Sequence, residues 1–241
     1  KPLRAFKSKR NKKLIVSIQR DSSLINNKWV PKEQKNPSYL VNLYKESLKQ
    51  NLPIMLVITG VRRHWITNEL DKNDLPYIFV GQKPQTKDDY LTKIPRATIL
   101  EIMKECDFGI VTSSWEGGPL CIIESLEVKK LNFSTDVGFS RDLLHSDLIL
   151  EGNLKKDIEA IKKVINSDSK ISGLLNKSIK KYIKFQTLDL SLIIKEIYLL
   201  YKGKSKNFLN RYLTKKIFIL DKILSYFENF SRRFLCFIKK I

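Results

Sequence analysis

Two histidines, three cysteines and nine glycines are few for 241 residues, and each scarcity removes a class of chemistry. His64 and His145 stand far apart, so no metal site is expected and no metal ligands are nominated. Cys106, Cys121 and Cys236 lack Cys-x-x-Cys spacing and two of them fall in apolar segments, which reads as reduced core cysteine in a cytoplasmic chain. Neither a GxxxxGK[ST] loop nor a GxGxxG turn occurs, so the P-loop and the dinucleotide fingerprint are both excluded. Without 18 consecutive apolar residues a spanning helix is not expected, and no secretory signal pattern is visible. The first residue is Lys1 rather than Met, from which the chain is expected to continue upstream.

Acidic residues are the other scarcity, 25 against 45 Lys and Arg, but only at the two ends. Residues 1–13 hold seven basic residues and no acid, while 202–241 hold eleven against Asp221 and Glu228. Between them 27 basic and 23 acidic residues remain, so the body carries a net charge of only +4 out of +20. A nucleic-acid surface spread over the body is therefore not indicated, and nucleic acid is not expected as a partner.

From Leu14 onward, short β-branched runs alternate with helical patterns, the sign of βαβ units and a parallel sheet. Strands are expected at 14–18, 54–58, 77–80, 108–112, 131–135 and 147–150. Helices are expected at 38–50, 98–105, 119–129 and 154–166, followed by a helical pattern from Lys170 to Tyr201. The fold class is thus α/β, a Rossmann-like parallel sheet with flanking helices plus a C-terminal helical extension. Three segments result: a basic tail or linker at 1–13, a Rossmann-like domain at 14–201, and a basic amphipathic extension at 202–241.

In that extension Ile223, Phe227, Phe230, Phe234, Ile238 and Ile241 recur at spacings of three and four. Two readings fit. The stripe attaches to an anionic membrane surface, placing the chain on the inner face of the membrane, or it docks on protein.

Ser113–Ser125, reading SSWEGGPLCIIES, carries the clearest chemistry. Phe108–Thr112 before it reads as an apolar strand, Pro119 is suited to the first position of a helix, and Gly118 would be its N-cap. At about 1.5 Å rise per residue, Glu124 lies roughly 7–8 Å along that helix, while Glu116 stays in the loop. Between the two carboxylates the free amides of the first turn favour an anion, and Gly117 and Gly118 permit close approach to the backbone. For an arbitrary pair of glutamates, a cap and a solvated charge would suffice. Glu124, however, sits in the apolar run LCIIESL, where a charge needs a partner or a ligand.

The strand, the EGGPLCIIES turn and the following KKLNFSTDVGFSRDLL resemble the donor-binding half of the group 1 (family 4) GT-B glycosyltransferases. Glu116, Gly117, Gly118, Glu124, Thr135, Asp136, Val137 and Gly138 match that family's pattern as they stand. The resemblance spans 14–201, with about 40 residues specific to it. It implies that Glu124 holds ribose hydroxyls and that Glu116 contacts the transferred sugar. The backbone of Gly117, Gly118, Leu120, Cys121 and Gly138 would lie along the donor, and Arg20 with Lys28 would stand on its diphosphate. Glu116, Arg20 and Lys28 are thereby the catalytic candidates. Ionised carboxylates only accept hydrogen bonds, which suits hydroxyls, whereas phosphate needs donors.

The same resemblance implies a hexosyltransferase-type enzyme that transfers a sugar with retention from a nucleoside-diphosphate sugar to a glycan or lipid-linked acceptor, in polysaccharide biosynthesis of the cell envelope. It needs neither metal nor cofactor, and no Asp-x-Asp occurs in the chain. An acceptor-binding domain is expected upstream, so the chain alone is expected to be catalytically incomplete. Two departures stand out: Phe139 replaces a usual second glycine, and Pro119 removes one N–H from the turn. The competing reading is a non-catalytic Rossmann-like module that binds a partner or an anionic membrane through its basic ends.

Overall fold

In a computed structural model, which describes residues 11–83 and 94–186, six strands form one parallel sheet. In chain order they are β1 (Lys13–Ser17), β4 (Ile54–Thr59), β5 (Tyr77–Val80), β6 (Phe108–Val111), β7 (Leu131–Thr135) and β8 (Ile149–Leu150). The spatial order β5-β4-β1-β6-β7-β8 puts β1 at the centre, where the strand order reverses. At such a switch point the connections leave in opposite directions and open a crevice at the carboxyl ends of the strands. Register is continuous, with Val16 opposite Val57 and Gly109 on either side and Ile110 opposite Phe133.

Because both faces are covered, the central strands are apolar throughout rather than alternating, and every residue of β4 and β6 is buried. The two-residue period still sorts them. Leu14, Val16, Met55 and Val57 face Ile102, Met103 and Cys106 on one side. Ile15, Ile54 and Leu56 face Leu40, Leu43, Tyr44 and Ile161 on the other, around a void of about 20 Å³. The first side is covered by α3 (Arg96–Glu105) and α4 (Leu120–Glu127), the second by α1 (Pro37–Lys49) and α6 (Leu154–Ile165). The Tyr44 hydroxyl bonds the Pro76 carbonyl at 2.5 Å, and burial pushes its pKa up to about 12.

Several expectations need correction. Of residues 147–150, the first two belong to a 3₁₀ turn, Ser146–Leu148, and only Ile149–Leu150 pair with β7. Pro119 adopts an extended φ of −74° and ψ of 100° and is itself the N-cap, so the helix starts at Leu120 and not at Pro119. Two elements were not anticipated. One is the antiparallel hairpin β2 (Ser22–Ile25) and β3 (Lys28–Pro31), closed by Asn26 and Asn27, both in the left-handed region. The other is α2 (His64–Lys72), whose N-cap residue, Arg63, offers its first turn no side-chain bond. The remaining helices are the single turn α5 (Ser140–Leu143) and the 19-residue α7 (Asp168–Gln186).

The chain divides into two units, Lys1–Tyr182 and Ile183–Ile241. The expected boundary between 201 and 202, the amphipathic extension at 202–241 and most of the basic tail at 1–13 lie outside the described residues. Among the described residues no helix is long and apolar enough to cross a membrane.

Candidate functional site

Glu116 lies at the carboxyl end of β6, and its side chain is only 9% exposed. A carboxylate so enclosed must be met by donors, and three converge on it. Lys35 Nζ stands 2.7 Å from its Oε1, Gln19 Nε2 donates to the same oxygen at 2.7 Å, and the Ser113 hydroxyl donates to it as well. Gln19 also donates to Ser113 Oγ at 2.8 Å. The surrounding backbone is fixed from both sides: Ser114 N–H donates to the Gln34 carbonyl at 2.9 Å and Thr135 Oγ1 to the Ser113 carbonyl at 2.6 Å. Glu116 is therefore held by groups from the β1, β6 and pre-α1 segments.

Lys35 reaches this position through a short chain of local signals. It ends a 3₁₀ turn, Glu33–Lys35, and the next residue, Asn36, sits at φ 45° with its side chain accepting from Tyr39 N–H. Pro37 then opens α1, where its missing N–H is harmless.

More cations gather beside it. Lys32 N–H donates to the Asp21 carbonyl at 2.6 Å, and Ser22 N–H donates to the Arg62 carbonyl at 3.1 Å, so the hairpin is pinned to the ends of β1 and β4. Burial and then the charges of Lys35, Arg20 and Arg62 hold the Lys32 ammonium below the usual lysine range, with Glu116 opposing them. Beneath lies a wholly buried pair: Arg63 Nη1 is 3.0 Å from Asp21 Oδ2, and Arg63 Nη2 donates to Ser17 Oγ at 2.8 Å. Asp21 also accepts from Ser22 Oγ at 2.6 Å, which in turn accepts from Trp65 N–H at 2.9 Å. Burial pulls the Arg63 guanidinium down from its usual value, and Asp21 pulls it back up.

The turn after Glu116 is packed against the loop after β7. Gly138 has φ 54°, and a Cβ there would meet the Gly117 carbonyl oxygen and Gly118 Cα at 2.8 Å. A Cβ on Gly118 would lie 2.0 Å from the ring of Phe139, which is buried. The departure at 139 thus has a structural role, since the ring lies directly under the turn. Past Pro119, the amides of Leu120 and Cys121 belong to the first turn of α4 and have no preceding helical carbonyl to bond. The Cys121 thiol is pushed well above its usual range by burial and then by Glu116 and Glu124, so it stays protonated and sits between the two carboxylates. Glu124 Oε1 is 3.2 Å from Arg96 Nε, and Arg96 Nη2 is 3.5 Å from Glu127.

On the β7–β8 side a polar cleft of about 490 Å³ adjoins Ser113 and Ser114, with Tyr39, Asp136, Arg141 and Glu151 on its walls. Its floor is anchored by buried Asp157, which accepts from the Tyr39 hydroxyl and from the amides of Glu151 and Gly152 at 2.8 and 3.0 Å. Burial and the Asp157 carboxylate drive the Tyr39 phenol above its usual range. Among the described residues no three His, Cys, Asp or Glu side chains gather to hold a metal ion.

Of the residues nominated from sequence, the structure gathers Glu116, Gly117, Gly118, Leu120, Cys121, Glu124, Gly138 and Arg20 at the carboxyl edge of the sheet. Lys28 is not among them. It is exposed at the start of β3, opposite Ile25, and the ammonium that meets Glu116 belongs to Lys35. Sequence reasoning also missed Gln19, Lys32, Arg62 and Arg96. The signal that could have found Lys35 is the Lys35-Asn36-Pro37 helix start, which fixes the residue before the N-cap of α1 at the strand ends whatever the length of the hairpin.

A sequence model of the family described as "Glycosyl transferases group 1" matches residues 30–185. Among curated protein sequences none matches. Solved structures similar to the chain include a UDP-forming α,α-trehalose-phosphate synthase from Burkholderia xenovorans, at 14% identity and a TM-score of 0.58 over 76% of this chain and 43% of that one. A TarM variant of S. aureus, in complex with Fondaparinux, α-GlcNAc-glycerol and UDP, has 17% identity and a TM-score of 0.58 over 80% and 36%. Sucrose-phosphate synthase from Thermosynechococcus elongatus has 14% identity and a TM-score of 0.56 over 81% and 47%. These likenesses show the fold, the Rossmann-like half of GT-B enzymes, and the chain spans less than half the length of each. With the family pattern matched over more than half of its residues, the chain belongs to the group 1 glycosyltransferases.

Proposed function

We propose that this chain binds the donor in a glycosyltransferase that moves a sugar, with retention, from a nucleoside-diphosphate sugar to a glycan or lipid-linked acceptor. The observation that carries the reading is the juxtaposition at Glu116: a hydroxyl acceptor held 2.7 Å from Lys35, with Arg20 in the adjoining cluster and the open amides of α4 beyond the turn. In this reading Glu116 accepts from hydroxyls of the transferred sugar and Glu124 from the ribose. Lys35, in the role first expected of Lys28, stands with Arg20 and the Leu120 and Cys121 amides along the diphosphate.

The bond from the anomeric carbon to the phosphate oxygen breaks, and the leaving diphosphate keeps the electron pair. A new bond forms to the acceptor oxygen, whose proton passes to the leaving phosphate. Fixed cations and amides stabilise the charge that develops there, without a metal or cofactor. UDP in the TarM complex and the UDP-forming synthase support a nucleotide donor and make UDP the first probe. Envelope polysaccharide synthesis on the inner face of the membrane belongs to the same proposal. It is checked by liposome against oligonucleotide binding of residues 202–241 across salt.

The test is thermal unfolding with UDP, ADP, GDP and their sugar conjugates. At least one is expected to raise Tm, and Glu124→Ala is expected to abolish that rise while lowering the apo Tm by only a few degrees (~2–4 °C), since it removes one ion pair to a largely exposed arginine. A native protein that binds none of them removes the reading. A basic module without catalysis would then be favoured.

A further inference from the structure

We propose that Lys32 is a third cationic ligand of the donor diphosphate, presented by the β2–β3 hairpin; this rests on the donor-site reading above. The argument is one of placement. Lys32 immediately follows β3, its amide is tied to Asp21 at 2.6 Å, and its carbonyl accepts from Lys35 N–H at 2.8 Å and Asn36 N–H at 3.1 Å. It therefore begins the same turn that ends at Lys35, one residue before α1. Asp21, its partner, adjoins Arg20 and is locked by the buried bond to Arg63, so Lys32 is fixed relative to both other diphosphate candidates. A lysine whose backbone is fixed among these cations has little to gain in the empty site and much to gain from an anion.

The groups facing Lys32 are Lys35 from the pre-α1 turn, Arg20 after β1, Arg62 after β4 and Glu116 after β6. Burial lowers its proton affinity most, the first three lower it further, and Glu116 raises it. A diphosphate adds negative charge among them and moves the group back toward 10.5, the ordinary lysine value. The sign follows. At neutral pH the ammonium is already formed and binding moves no proton. Above the depressed pKa of the empty site, Lys32 is increasingly neutral, so the ligand draws up to one proton from solvent and affinity falls as pH rises.

The experiment titrates UDP, ADP, GDP and inorganic pyrophosphate into the whole chain by calorimetry at pH 7.5 and at alkaline pH, in two buffers of different ionisation enthalpy. Lys32→Met is expected to weaken the binding of every probe that binds native protein by about tenfold at pH 7.5, the range for a hydrogen bond to a charged group. Lys32→Arg is expected to keep native affinity and to lose the alkaline decline, because arginine stays charged. Lys49→Met, which removes the same charge at the exposed end of α1, is expected to bind as native does. If native protein binds and both Lys32 variants match it at each pH, the inference falls and the donor site stands. If native protein binds none of the four probes, the donor site falls and the inference with it.

Discussion

Asp21→Ala is expected to destabilise the fold by about 3–5 kcal/mol, the usual result of removing one partner of a buried ion pair. The size follows from what remains. Arg63 is fully buried, and with Asp21 gone its charge keeps only the Ser17 hydroxyl at 2.8 Å as a neutral acceptor. Arginine does not escape by losing its proton, since the delocalised guanidinium stays charged in proteins. Ser22 Oγ, which donates to Asp21 at 2.6 Å, loses its acceptor as well. Urea unfolding is the measurement, read as a fall in midpoint at constant slope. A double variant, Asp21→Ala with Arg63→Met, is expected to recover much of the loss, because it removes the stranded charge rather than half of the pair. A single variant within about 1 kcal/mol of native would show that water reaches Arg63. Nucleotide binding by Asp21→Ala should also weaken beyond what stability explains, since the residue sits between Arg20 and the hairpin that carries Lys32.

How far the sequence could be read depended on whether a feature was local. β4 and β6 were legible because strands buried on both faces must be apolar along their length, and each match lies within a residue or so of expectation. The Glu116–Glu124 segment was legible for the same reason: strand, glycine turn and helix are contiguous. What failed was anything settled by a neighbour distant in sequence. Asn26 and Asn27 form a hairpin turn only because two modest strands happen to flank them, and without the hairpin the lysine nominated beside Arg20 is Lys28, with Lys35 not considered. α2 has no capping side chain next to it in sequence to announce it, because its start is held from a distance, by the Ser22 hydroxyl on Trp65 N–H and by Arg63 reaching back to Asp21. Arg96 meets Glu124 from another helix, so the partner that Glu124 required could be anticipated in kind but not by number.

Phe139 shows how a departure from a family pattern is compensated elsewhere, and it sets the last prediction. The family's usual second glycine would leave the space below the Gly117-Gly118 turn empty. Here the ring fills it so closely that Gly118 has no room for a Cβ. Gly138 next to it combines φ 54° with backbone atoms 2.8 Å from where a Cβ would stand, and backbone cannot swing aside as a side chain can. Gly138→Ala is therefore expected to cost about 1–2 kcal/mol for the left-handed conformation and a further 1–3 kcal/mol for the overlap. Phe139→Ala should cost about 3–5 kcal/mol through the cavity it opens. The two differ at the ligand. Phe139→Ala leaves the turn's backbone room to relax, so its nucleotide affinity is expected to drop only modestly in the fraction that folds. Gly138→Ala must displace Gly117 and Gly118, and with them Glu116 and the first amides of α4, so binding should fall at least tenfold even well below Tm. Calorimetric titration of both variants at a temperature where circular dichroism shows them folded separates the effects. Equal affinities would mean that the turn tolerates displacement and that the tight packing of Gly138 serves stability alone.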